Sequence, residues 1–245
     1  MEIWSDVVCP WCFVGKRRLE AGLAQFAHRD QVDVVWRSFE LDPHAPRQRE
    51  GDLAERLARK YGMSRDQAVA ANARLTEVGA GEGLSFRFDQ ARPGNTFDAH
   101  RLIHLGGDRG IQDAVKERLL RAYFSEGEQI GEPAVLVRLV GEAGLAIEEA
   151  RAVLDGDAYA DAVRADEREA AEFGISGVPF FLIDRKFAVP GAQSADVMLG
   201  ALERAWHKAQ APASTETANG ATAATAATAA TAATAAACED DSCAI

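Results

Sequence analysis

Cysteine is missing from the whole middle of this chain. The four cysteines among its 245 residues, Cys9, Cys12, Cys238 and Cys243, form two close pairs at the two ends. A framework of stabilising disulfides would staple the middle of a fold, so this distribution excludes one. Close pairs point instead to redox chemistry or metal binding. Also missing is any run of about 20 apolar residues, so no membrane-spanning helix and no membrane partner are expected. Basic charge is scarce: 27 Lys and Arg against 38 Asp and Glu leave a formal charge of -11. Nucleic-acid binding needs basic side chains to neutralise phosphates, so no nucleic-acid partner is expected. The local run Lys16-Arg17-Arg18 reads as the solvated face of a helix. The N-terminus, Met-Glu-Ile-Trp-Ser-Asp, lacks the basic-then-apolar pattern of a secretory signal, and cytoplasmic residence is expected.

What is present suits a soluble core: 47% of the residues are hydrophobic, an ordinary value. Residues 2–6 read as a strand, and Cys9-Pro10-Trp11-Cys12 follows at once. A helical pattern then brings Phe13, Val14, Leu19, Leu23 and Phe26 to one side. Pro10 fits the first helical turn, whose N–H groups have no intrahelical partner. Residues 32–41 alternate as a second strand. From about 50 to 174 the pattern is mostly helical. Ser64-Arg65-Asp66-Gln67 has the form of a capping box. Residues 84–89 read as extended. Asn95-Thr96 opens a helix that carries His100, and further helices are predicted near 111–126, 133–143, 147–155 and 158–173. Gly174 is a left-handed stop. Residues 177–184 form a turn feeding a buried strand, Asp184-Arg185 a tight connection, and 186–189 a second hairpin strand. A last helix spans about 194–208, with Val197, Leu199, Leu202 and Trp206 as its buried side.

This is an α/β order: strand, helix, strand, helical block, strand, strand, helix. Without the block it is the thioredoxin order. The block is too long and too periodic for a loop. The predicted organisation is a thioredoxin-like domain over 1–45 and 158–209, an inserted all-helical subdomain over 46–157, and a low-complexity tail over 210–245. That tail repeats Ala-Ala-Thr and lacks large apolar side chains, so it cannot build a core. It reads as a tether carrying the Cys-x4-Cys pair Cys238 and Cys243.

Two cysteines three apart at a helix start can close a small disulfide loop. Unpaired N–H groups and the helix dipole there favour a thiolate, the attacking species in disulfide exchange. Cys9, at the cap, is the expected nucleophile and the more exposed sulfur; Cys12, one turn inside, is the expected resolving thiol. The other reading of Cys-x-x-Cys is half a zinc site. Zinc takes four ligands, no His adjoins either pair, and no metal is expected. Val178-Pro179 precedes a buried strand, so Pro179 is a candidate cis-proline and Val178 a candidate backbone partner for an extended substrate. The plain alternative is a trans proline starting a strand. Asn95 reads as a helix cap and His100 as a buried structural histidine, with substrate-groove lining as the sharper alternative. Trp11 is expected to be exposed within the active loop. For Cys238 and Cys243, exchange with Cys9 and Cys12 stands beside an idle disulfide or a soft-metal chelate. The intervening tail reaches far enough, roughly 30 Å root-mean-square.

Three segments together resemble the DsbA family, in particular its FrnE-like cytoplasmic branch: Trp4 to Cys12, Asn95 to Leu102, and Ser176 to Phe181. The resemblance covers residues 1 to about 208. It implies a thioredoxin fold with an inserted helical domain, a cis-proline at Pro179, and dithiol–disulfide exchange at Cys9 and Cys12. The partners would be disulfide- or thiol-containing polypeptides or small thiols, with no bound cofactor and with glutathione or a dithiol reductant as candidate co-substrate. A homodimer is a candidate assembly. The same superfamily includes kappa-class glutathione transferases and 2-hydroxychromene-2-carboxylate isomerases, so a glutathione-dependent transferase or isomerase is the first rival. A holdase-type chaperone is the second.

Overall fold

The computed structural model describes residues 1–49 and 51–210. Its centre is a four-stranded sheet ordered β2-β1-β3-β4. The strands are β1 (Glu2–Ser5), β2 (Val35–Ser38), β3 (Phe180–Ile183) and β4 (Phe187–Pro190). β1 runs parallel to β2 and antiparallel to β3, and β3–β4 is a hairpin. Its turn is Asp184-Arg185-Lys186, so Lys186, expected in the second strand, lies in the connection, and Asp184 and Arg185 take φ 50° and 53°.

Successive residues of a strand face opposite sides of a sheet, and the central strands use both. Ile3 and Phe181 enter the main core with helix α1 (Pro10–Gln25) and helix α9 (Ala195–Gln210). Trp4 and Leu182 enter a smaller cluster with Ala170 of helix α8 (Ala160–Glu172). The Trp4 Nε1–H donates to the Asp166 carbonyl at 2.9 Å, which fixes α8 across the sheet. This is a thioredoxin fold with a helical insertion. Between β2 and α8 lie α2 (Leu53–Tyr61), α3 (Arg65–Gly81), α4 (Phe97–Asp108), α5 (Gln112–Ser125), α6 (Pro133–Glu142) and α7 (Ile147–Asp155). The Ser64–Gln67 capping box opens α3 with both reciprocal bonds. Gly174 ends α8 at φ 71°.

Four other expectations change. β2 is only four residues long, because N–H groups at and just past its end go to carboxylates rather than a ladder: Ser38 to Asp166 and Leu41 to Asp6, each at 2.8 Å. Residues 84–89 form no strand; Phe86 and Phe88 pack on Phe124 instead. Lys16 is buried, not solvated: its ammonium meets Asp113 and Glu117 of α5, each at 3.1 Å, and also Glu20. On α9, Val197 is exposed while Met198, Ala201, Leu202 and Ala205 are buried; Leu199 and Trp206 are half-buried. α9 approaches α1 so closely that a Cβ on Gly22 would lie 3.0 Å from the Ala195 carbonyl oxygen and 3.1 Å from Met198 Cβ. The expected pair Cys238 and Cys243 lies outside the described residues.

Gly22→Leu would force α1 and α9 apart. We expect a loss of about 1–3 kcal/mol in urea unfolding, the usual cost of overpacking, with little change for Gln25→Ala on the exposed end of the same helix.

Candidate active site

Cys9 is the N-cap residue of α1, and Pro10 occupies the first turn. The chain enters from β1 through a turn in which the Cys9 N–H donates to the Asp6 carbonyl at 3.3 Å. The end of β1 thus leads through Asp6 straight into the cysteine pair. Both cysteines are free thiols and both are buried, Cys9 at 4% and Cys12 at 1% exposure. The expected order of exposure holds, but neither sulfur stands out in solvent. Trp11, expected to be exposed, is half-buried against the core, and its Nε1 is out of solvent reach. The Val178–Pro179 peptide is cis. Pro179 packs toward α1, where a Cβ on Gly15 would lie 3.0 Å from the Pro179 Cγ.

The Cys9 sulfur makes no capping bond to the helix N–H groups. It donates instead to the Val178 carbonyl at 3.4 Å. That bond exists only for the protonated thiol. Burial pushes the Cys9 thiol well up, and the neighbouring Cys12 adds to this. Cys12 is also penalised by burial, yet it is held below the ordinary thiol range. The neighbouring Cys9 thiol and the charge of Lys116 outweigh the desolvation. The pair therefore gives up its first proton readily and its second reluctantly, as coupled groups do. Burial and the bond to the Val178 carbonyl favour the Cys9 thiol, against the helix start, which favours its thiolate.

Lys116 is the residue that sequence reasoning missed. It is 1% exposed on α5, with its ammonium 5.5 Å from the centre of the Trp36 ring. Burial lowers its pKa against the opposing pull of Cys12, Asp6 and Cys9. Asp6 is fully buried as well. Its Oδ1 faces His100 Nε2 at 3.3 Å, and its Oδ2 accepts from the Leu41 N–H. Burial raises the Asp6 carboxyl, but these hydrogen bonds bring it below the usual range. Burial lowers His100 despite Asp6. Asn95 caps α4 through a 2.9 Å bond from the Phe97 N–H, and its amide also donates to the Ala45 carbonyl at 3.2 Å. Among the described residues, no group of three or more His, Cys, Asp or Glu side chains could hold a metal.

A cavity of about 520 Å³ opens beside Cys9. Val178 and Pro10 line one end, and Phe39, Phe88 and Tyr123 form apolar walls. Glu40 also lines it, with its side chain out of solvent and one oxygen paired to Arg164 at 2.6 Å. Burial pushes the Glu40 carboxyl up to about 7, even against that pairing.

A DSBA-like thioredoxin domain model matches residues 1–203. A probable DsbA oxidoreductase from Streptomyces coelicolor has 49% identity and a TM-score of 0.81, covering 84% of this chain and 89% of that one. The cytosolic disulfide reductase DsbM from Pseudomonas aeruginosa, solved with GSH, has 21% identity and a TM-score of 0.60, over 84% and 98% of the two chains. At that identity the likeness is one of fold. The uncharacterized protein YwbO of Bacillus subtilis (strain 168) is 27% identical over 199 residues, 80% of this chain and 92% of its own.

Two outcomes test this electrostatic account. Lys116→Met removes the buried counter-charge, so the thiol pair should ionise at higher pH; iodoacetamide labelling at pH 6 should slow several-fold. Glu40 has a folded pKa raised above its ordinary value of 4.5, so its contribution to stability is fully present below that value. It is lost as pH rises through about 7. The urea midpoint should therefore fall between pH 5 and 8, and Glu40→Gln should flatten that fall. From the match over residues 1–203, the chain belongs to the DSBA-like thioredoxin domain family.

Proposed function

We propose that this chain is a thiol–disulfide oxidoreductase that exchanges disulfides with polypeptides or small thiols through Cys9 and Cys12. The observation that supports this best is two buried free thiols at the start of α1, Cys9 at the N-cap and Cys12 one turn inside, with Cys9 donating to the Val178 carbonyl. Cytoplasmic residence belongs to the same reading, as does turnover without a bound cofactor.

The geometry suggests a sequence of steps. An extended substrate pairing with the Val178 backbone competes for the carbonyl that Cys9 donates to. Released from that carbonyl, the Cys9 thiol gives its proton to the neighbouring Cys12 thiolate, and the charge moves onto Cys9. The Cys9 thiolate attacks one sulfur of the substrate disulfide; that S–S bond breaks and the leaving sulfur takes a proton from solvent. Cys12, with Lys116 favouring its anion, loses its proton and attacks the Cys9 sulfur. The second substrate sulfur leaves as a thiolate and is protonated. Two electrons have moved from the protein dithiol to the substrate, and the reverse sequence oxidises a substrate dithiol.

Insulin reduction with dithiothreitol, followed by turbidity, tests the reading. Cys9→Ser should fall to the uncatalysed rate. Cys12→Ser should stall as a mixed disulfide with substrate, detected by mass spectrometry. Insulin reduction by Cys9→Ser at the wild-type rate would sink the proposal.

A further inference from the structure

We propose that Arg49 and Arg56 form an anion-recognition subsite at the outer end of the Cys9 cavity, and that the disulfide taken there is a small one bearing carboxylate or phosphate groups. This rests on the disulfide-exchange reading above and names its substrate class.

The chain carries a formal charge of -11, yet three cations, Arg49, Arg56 and Lys60, line the same cavity as Cys9. The carboxylates that share the cavity are already engaged. Asp42 pairs with Arg49, Glu40 with Arg164, and Asp6 with His100. Two guanidinium nitrogens, Arg49 Nε and Arg56 Nη1, are out of solvent contact and have no hydrogen-bond partner among the described residues. A buried donor on a charged group is costly to leave unpaired, and an oxyanion is its natural acceptor. Burial lowers the Arg56 pKa, and the neighbouring charge of Arg49 lowers it further. An anion seated between the two would relieve both effects.

Both residues are held in place from the chain around them. The Arg49 N–H donates to the Pro93 carbonyl at 3.2 Å, and the Asn95 N–H donates to the Pro46 carbonyl at 2.9 Å. Arg56 lies in the first turn and a half of α2, whose start Asp52 caps by accepting from the Ala54 N–H at 2.8 Å. Leu41, Leu53, Leu57 and Phe39 supply apolar lining to the same cavity. A cavity of about 520 Å³ holds a molecule of drug or tripeptide size, with its sulfur at Cys9 and its anionic group at the arginines. The exchange balances as above: the protein dithiol supplies two electrons and two protons, and one small disulfide leaves as two thiols.

The test uses pre-reduced full-length protein mixed with four small disulfides in stopped flow. They are oxidised glutathione (carboxylates), coenzyme A disulfide (phosphates), hydroxyethyl disulfide (neutral) and cystamine (cationic). Each rate is divided by the rate with free dithiothreitol, which removes differences in leaving group. We expect at least one anionic disulfide to react tenfold or more faster than the neutral one, with cystamine slowest. The faster of the two anionic disulfides identifies the group. In the Arg49→Gln/Arg56→Gln double variant the anionic preference should drop at least tenfold while the neutral rate holds, which also reports an intact dithiol. An unchanged anionic-to-neutral ratio in that variant overturns the proposal, as does a wild type with no charge preference. Calorimetry with S-methylglutathione and with 3′-phosphoadenosine 5′-phosphate, neither able to exchange, separates the two readings. Arginine-dependent binding without any disulfide turnover would refute the redox reading and leave the subsite standing. Turnover without charge discrimination would do the reverse.

Discussion

Two buried sulfur atoms, one of which must become an anion for exchange to proceed, set the terms for the rest of this structure. An anion taken out of water must be matched by a nearby charge or by hydrogen bonds. Here Lys116 supplies charge from a helix about a hundred residues further along the chain. The thioredoxin core alone does not complete the site. β1 leads through Asp6 into the cysteine pair, α1 carries the cysteines, β3 begins at the cis-proline, and α5 of the helical block brings the cation.

The docking of α5 is correspondingly well secured. The Gln112 side chain accepts from the Trp36 N–H at 2.9 Å and donates to the Trp36 carbonyl at 3.1 Å. It covers the outer edge of β2, which would otherwise be open to pairing with another chain. The Trp36 indole donates to Asp113 at 3.0 Å. Lys16 and Arg17 of α1 reach Asp113 and Glu117 on the same helix. Burial pushes Lys16 down, but these carboxylates and Glu20 more than offset it. The charged run on α1 thus holds the insertion in register against the active helix, and so holds Lys116 at the sulfurs.

Much of this was legible in the sequence because it is local. The turn chemistry of Asp184-Arg185, the capping box at Ser64, the stop at Gly174 and the Cys-Pro-Trp-Cys helix start each depend on a few neighbouring residues. What depends on distant packing was not legible. Lys116 looks like one more solvated lysine, although it precedes Leu119 and Leu120 by three and four residues and so shares their buried face. That spacing was the available signal. Arg49 and Arg56 carry no motif, and only the cavity gives them meaning. The shortness of β2 depends on Asp6 and Asp166 taking its N–H groups, which no alternation pattern reveals. The helix dipole at Cys9 is local and legible, but the Val178 carbonyl that its thiol meets lies 169 residues away and is not.

Stepwise ionisation of the pair is tested most directly by following thiolate absorbance at 240 nm as the reduced protein is titrated, with the Cys9→Ser and Cys12→Ser variants for assignment. Two well-separated steps are expected, the first below the free-cysteine value of about 8.5 and the second above it. The first step should persist in Cys9→Ser and be lost or raised in Cys12→Ser. A single step releasing both protons near the free-cysteine value would contradict the account.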